Sequence, residues 1–228
     1  MSSILVLTAV DVEARGLARH LGLAAVSSNW PHYRAGVLEV VCVGPRAACL
    51  AERSGWRAPT LVISAGACGA LAPDLAVGGL VVPEAVIGPN GSRLAAAALA
   101  PLARMGTVLT LADVVHTPSE KARLWIETGA IAADTESSVI LEWAREIGVP
   151  GAVIRGVSDG AASGVPRDLA AAVEPGGRVS RGQALRAMLS RPAALADAIA
   201  LGRGTGAALK TVAGALARLA RAGRLGAR

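Results

Sequence analysis

Ala152-Val153-Ile154-Arg155-Gly156-Val157-Ser158-Asp159-Gly160-Ala161 is the stretch from which the rest of the chain can be read. Val153 to Val157 is mostly apolar and β-branched, the composition of a buried strand. The run ends in Ser158-Asp159-Gly160, a polar pair on a glycine turn. In an open α/β sheet, ligands collect at the carboxyl ends of strands. A carboxylate half-desolvated there has a raised pKa and can donate a proton near neutrality. Ser158 or Asp159 capping a following helix is the competing reading of the same residues.

Working outward, strands alternate with helices. Ile4 to Leu7 is an apolar strand, and Thr8-Ala9-Val10-Asp11-Val12-Glu13 leaves it into a helix carrying Leu17 and Leu21. Glu13 falls in the first helical turn, where an acid also suits the helix dipole. Tyr33–Ala35 and Val37–Val43 form a hairpin through Gly36. Gly44-Pro45-Arg46 then opens a second helix, with Pro in its first turn.

Thr60–Ala65 is the next strand, and Gly66-Ala67-Cys68-Gly69-Ala70 is expected to follow as a loop whose amides can approach a ligand. Gly78 to Val86 is a strand broken by Pro83, and Pro89-Asn90-Gly91 is a turn. Ala95–Ala103 is expected to be helical and Val108–Val115 a strand. His116-Thr117-Pro118 leads into a helix with Glu120, Lys121 and Leu124; His116 fits a ligand contact or a solvated loop equally. After the short strand Ile131–Ala133, Asp134-Thr135-Glu136-Ser137 starts a helix with Asp134 as its N-cap. Its expected inward face is Val139, Ile140, Trp143 and Ile147, and Gly148 and Pro150 end it. Alternation of this kind means an α/β sheet.

The totals set limits. A chain of 228 residues with 53% apolar content fits one domain with a core of its own. With no Phe and only 2% aromatics, any pocket has few rings to stack a base. Cys42, Cys49 and Cys68 are odd in number and form no CxxC, which points to a reducing compartment. No signal peptide is expected, and no apolar run reaches the ~18 residues a bilayer span needs. His20 and His32 have no partners that suggest a metal site, so neither metal nor cofactor is expected. The net charge of +6 is uneven: residues 178–228 carry +9 and the rest −3. A basic tail without interleaved aromatics or a reading motif does not indicate nucleic-acid binding.

Glu13, Glu136 and Asp159 each follow a different expected strand. Together with Ser64-Ala65-Gly66-Ala67-Cys68-Gly69-Ala70-Leu71, Val77-Gly78, Asp134-Thr135-Glu136-Ser137 and Arg155-Gly156-Val157-Ser158-Asp159, this order of motifs resembles the purine nucleoside phosphorylase and nucleosidase superfamily. The resemblance implies a three-layer α/β sandwich on a mixed, partly closed central sheet. It implies one domain over residues 1–228, with 178–228 as a basic helical extension, and homo-oligomers in the cytoplasm.

It also implies roles. Asp159 resembles the acid that protonates purine N7, in its adenine-selecting form, oriented by Ser158. Glu136, with Thr135, resembles the carboxylate that holds the ribose hydroxyls. Glu13 resembles the base that activates water, with Arg155 and Ala67 beside it and Arg46 able to hold an anion. Cys68, Gly69, Val115 and His116 fall where the family binds the base. The substrate class implied is a small adenosine-type molecule.

Two departures bear on the nucleophile. Phosphorylases place an arginine just before the glycine segment, where this chain has Ser64, and no early glycine-aspartate-proline loop is present. Both favour water over phosphate. Nucleosidases, however, usually carry Ser where Ala67 stands, and an aromatic near Val115 and His116. From Leu169 onward, through Leu185–Pro192, Leu195, Ile199, Leu209, Val212 and Leu216–Arg221, the tail resembles the hopanoid-associated phosphorylase subfamily, which removes adenine from adenosylhopane. Helices with Leu and Ala on one face and Arg on the other fit an anionic membrane surface. They fit packing on the sheet equally well.

Overall fold

The computed structural model describes residues 3–54, 59–167, 171–180, 182 and 194–222. In chain order its elements are β1 (Ile4–Thr8), α1 (Asp11–Leu21), β2 (Ala24–Ala25), β3 (His32–Ala35), β4 (Leu38–Cys42), α2 (Leu50–Ser54), β5 (Leu61–Ala70), β6 (Leu80–Val81), β7 (Ala85–Ile87), β8 (Arg93–Ala95), β9 (Thr107–Thr110), α3 (Pro118–Thr128), β10 (Ala132–Asp134), α4 (Ser137–Glu146), β11 (Gly151–Asp159) and α5 (Ala194–Arg221). The tail residues Leu169, Ala170 and Leu185–Pro192 lie outside the described residues.

The sheet is mixed. Its strand path is β2-β3-β4-β1-β5-β10-β9-β7-β8, with β11 joining β5 and β6. β5 is the hub: parallel to β1 on one side and to β11 on the other, and antiparallel to β10 at its far end. The path is unclosed, so the expected mixed sheet is present as an open one.

Side-chain alternation covers both faces. Ile4 and Val6 of β1 pack with Ala14 and Leu17 of α1 and Leu209, Val212 and Leu216 of α5. Leu5 and Leu7, pointing the other way, pack with Ile140 and Ala144 of α4. The second half of α5 is therefore core: Ala208, Leu209, Val212, Ala213, Ala215, Leu216 and Leu219 are all buried. That stretch has spent its apolar face on the sheet and has none left for a membrane. Glycines allow the close fit. A Cβ at Gly156 of β11 would stand 2.4 Å from the Ala208 carbonyl, and one at Gly204 1.9 Å from the Ser158 carbonyl.

Several expectations fail locally, each for a tertiary reason. Gly66–Ala70 is no loop: β5 runs through it, paired with β11 over Arg155↔Gly66 to Val157↔Cys68. Residues 95–103 are not helical. The Ala96 amide bonds Glu84 and the Ala97 amide bonds Gly151, so alanine's helix propensity loses to the sheet and to Pro101. Gly44-Pro45-Arg46 makes only a 3₁₀ turn, Pro45–Ala47, before α2. The strand expected over Val108–Val115 stops at Thr110. Asp134 closes β10, so the N-cap position of α4 falls to Glu136, although the Asp134 side chain still accepts the first amide of the helix, that of Ser137. On α4 the buried residues are Ser137, Ser138, Ile140, Leu141 and Ala144, whereas Val139 and the C-cap Ile147 are exposed.

Candidate active site

The carboxyl ends of β1, β5, β10 and β11 open into a cavity of about 480 Å³. Glu13, Arg46, Ala67, Cys68, Gly69, Val115, His116, Thr135, Glu136, Ser158 and Asp159 all line it. Arg155 does not; it lies beneath the floor, 1% exposed.

Glu13 reaches the cavity because α1 starts immediately after β1. Its Oε2 accepts the amides of Ala9 at 3.0 Å and Val10 at 3.3 Å, and its Oε1 accepts the amide of Ala67 at 2.7 Å. Burial pushes its pKa up, against the opposing pull of Arg155 and the three amides. Gly66 makes room for it: a Cβ there would lie 2.5 Å from Glu13 Oε1.

Arg155 organises the floor. Its guanidinium donates to Ser64 Oγ at 2.7 Å and Ser137 Oγ at 3.0 Å, and pairs with Asp134 Oδ2 at 2.8 Å and Glu136 Oε2 at 3.8 Å. Burial by itself lowers the pKa of Arg155, but the charges of Asp134, Glu136 and Glu13 outweigh it and keep the cation firmly protonated. Asp134 is fixed in turn by the Thr110 hydroxyl at 2.8 Å and the Ser137 amide at 3.3 Å.

Glu136 accepts the Thr135 hydroxyl and, at 3.0 Å, the amide of Arg46. Arg46 offers that amide from a left-handed backbone, φ 55°, next to Ala47 at φ 55°. Such conformations cost free energy in a non-glycine residue and collect at functional sites. Its guanidinium stays exposed at the cavity and donates to the Ala112 carbonyl at 3.4 Å. Burial pushes the pKa of Glu136 up to about 7; Arg155 and Thr135 pull it down, Asp134 and Glu13 push it further up.

At the other end, Ser158 Oγ donates to Asp159 Oδ1 at 2.6 Å and to the Cys68 carbonyl at 3.1 Å. Asp159 also meets a cation that the sequence reading did not place there. Lys121 Nζ donates to its Oδ2 and to the Gly160 carbonyl at 2.9 Å. His116 Nδ1 faces the Val165 carbonyl at 2.8 Å, so it carries the proton. Val115 is buried beside it. Cys68 is enclosed, and burial holds its thiol protonated.

Sequence reasoning missed Lys121, Asp134 and the cavity residues Val165, Arg167 and Leu201. Lys121 did leave a signal: it stands three residues before Leu124, on the face of α3 that is buried. Among the described residues no group of three or more His, Cys, Asp or Glu could hold a metal ion.

The sheet thus carries, at its strand ends, one cavity lined by three acids from separate elements. Residues 89–199 match the family model described as the phosphorylase superfamily. That match and the shared fold make the chain similar to the nucleoside phosphorylase/nucleosidase superfamily.

No curated protein matches the sequence. Solved structures do match in fold. The 5′-methylthioadenosine nucleosidase of Arabidopsis thaliana aligns with a TM-score of 0.70 at 15% identity, over 100% of this chain and 97% of that one. The futalosine hydrolase of Helicobacter pylori aligns at 0.71 and 15%, over 97% and 98%. The 5′-methylthioadenosine/S-adenosylhomocysteine nucleosidase of Neisseria meningitidis, in complex with methylthio-immucillin-A, aligns at 0.67 and 16%, over 97% and 100%.

Proposed function

We propose that the chain cleaves the N-glycosidic bond of a 5′-substituted adenosine and releases adenine, with water as the nucleophile. The observation that carries this reading is the meeting of Glu13, Glu136 and Asp159 in one cavity.

Cleavage passes through a cation-like ribosyl centre. Glu136, held by Thr135 and the Arg46 amide, grips the ribose hydroxyls and places negative charge beside that centre. Glu13 takes the proton of a water near the Ala67 amide, and the water oxygen attacks C1′. Asp159, held by Ser158, protonates N7 as the base departs. Arg155 sits below, holding Asp134 and Glu136 in place.

Water is favoured over phosphate because the guanidinium of Arg155 is already taken up by carboxylates and serines. Arg46 and Arg167 favour the phosphorolytic alternative, both being cations exposed at the cavity. Steady-state adenine release with and without inorganic phosphate separates the two. Hydrolysis predicts a rate independent of phosphate and the 5-substituted ribose as product; phosphate dependence with a 5-substituted ribose 1-phosphate product overturns it.

For the 5′ substituent we propose a large apolar group, adenosylhopane in hopanoid biosynthesis. Val10, Leu111, Val114, Val115, Val165 and Leu201 give the cavity an apolar wall, and Leu195 and Ile199 at the start of α5 are exposed. These two, with the basic residues of 178–228, would form a peripheral contact with the cytoplasmic face of a membrane. No helix among the described residues is long and apolar enough to cross one. The enzyme would act as a homo-oligomer, each copy a single domain over 1–228. A methylthioadenosine or adenosylhomocysteine nucleosidase is the second reading, favoured by folds that align nearly end to end with this chain. A 5′-alkyl adenosine of large apolar bulk, compared with methylthioadenosine by kcat/KM, separates them. A non-catalytic nucleoside-binding role would leave the acids around Arg155 without use.

A further inference from the structure

Lys121 is the least expected group in the cavity. It is an ammonium only 1% exposed, on α3, far in sequence from the carboxylate that it touches. Burying a cation is costly unless it is paired and its N–H groups are satisfied. Here Asp159 Oδ2 and the Gly160 carbonyl do both. The approach is tight, since a Cβ at Gly69 would lie 3.0 Å from Asp159 Oδ2 and 3.4 Å from Lys121 Nζ. Both residues line the cavity, so the pair faces the substrate rather than the core.

This arrangement changes who owns the proton. In an ion pair the carboxylate of Asp159 holds none, yet the departing base needs one. We propose that Lys121 is the proton source for the leaving base and that Asp159 relays it, an assignment that rests on the reading of the chain as an N-glycosidic bond-cleaving enzyme. When substrate fills the cavity, water is expelled and separated charges lose solvation. A neutral amine–carboxylic acid pair then approaches the ion pair in free energy.

The step balances. The C1′–N9 bond breaks and its electron pair passes to the purine. Lys121 gives a proton to Asp159 Oδ2, and the same oxygen delivers it to N7, so adenine leaves neutral. Water adds its oxygen to C1′ and its proton goes to Glu13. After turnover Glu13 holds one proton more and Lys121 one fewer, and exchange through solvent resets both. Ser158 on Oδ1 and Lys121 on Oδ2 hold the relay from its two sides.

The test compares two leaving groups. Methylthioadenosine needs a proton on departure, whereas 4-nitrophenyl β-ribofuranoside leaves as a stable phenolate and needs none. For Lys121→Met, and for Lys121→Gln, which keeps a polar donor without a transferable charge, the ratio of the adenine rate to the nitrophenol rate should fall about 10²-fold or more, the scale of general acid catalysis. In an Asp159→Asn background the same Lys121 substitutions should change that ratio less than about threefold, because the relay is already cut. An unchanged ratio in the Asp159-containing variants, whether both rates fall or neither does, overturns the assignment and leaves Lys121 a structural ion-pair partner. If the unmodified protein releases no adenine at all, the N-glycosidic reading itself fails. That outcome is distinct from an active enzyme indifferent to position 121.

Discussion

The carboxylate of Glu13, in the first turn of α1, accepts the amide of Ala67 on β5 at 2.7 Å across the bare Cα of Gly66. Helix start and strand are thereby locked at the point where a nucleophile would stand. Gly66→Ala would put a methyl group 2.5 Å from Glu13 Oε1. Three amides hold that carboxylate, so it cannot swing aside without leaving buried donors unpaired. The expected outcome is a stability loss of about 1–3 kcal/mol, the scale of overpacking. Adenine release should fall by more than about tenfold, since Glu13 is displaced. Urea titration and an initial-rate assay check the two effects separately.

Glu136 gives a pH signature. Its pKa is raised by burial from 4.5 to about 7. The protonated acid is thus favoured in the folded state, and its contribution to stability is complete below pH about 4.5. That contribution is lost as pH rises through about 7, by about 1.4 kcal/mol for each pH unit climbed between the unfolded and folded values. Glu13 is displaced in the same direction. Between pH about 5 and about 8, Glu136→Gln should gain stability relative to the native chain in thermal melts. Activity should run the opposite way. In the proposed mechanism Glu136 holds the ribose hydroxyls as an ionised carboxylate, so kcat/KM should climb as pH passes about 7.

Arg155 joins acids that would otherwise repel one another in a buried floor. Arg155→Met leaves Asp134 and Glu136 without their cation. Breaking a buried pair in this way costs about 3–5 kcal/mol. Denaturant unfolding should show a loss of that size. Much of it should be regained at acid pH, where the stranded carboxylates protonate.

What could be read from the sequence was set by local pattern. Ile4–Leu7 and Val153–Val157 declared themselves as strands because they are apolar and β-branched, and α1 because Leu17 and Leu21 follow an acidic first turn. Glu13, Glu136 and Asp159 could be placed at strand ends for the same reason. What stayed hidden depended on partners distant in sequence. Gly66–Ala70 reads as a loop until β11 pairs along it, and 95–103 reads as a helix until Glu84 and Gly151 take its amides. Lys121 meets Asp159 only because α3 folds back over the end of β11, and no local pattern reports such a meeting. Likewise, the Leu and Arg faces of the tail could not tell sheet from membrane. The sheet takes residues 208–219, and Leu195 and Ile199 remain exposed.

The most direct measurement is adenine release from methylthioadenosine by the native chain and by Asp159→Ala under identical conditions. A carboxyl at position 159 that protonates the base predicts release by the native chain and a loss of about 10²-fold or more in the variant, with the fold retained. Equal rates from the two proteins would contradict the account.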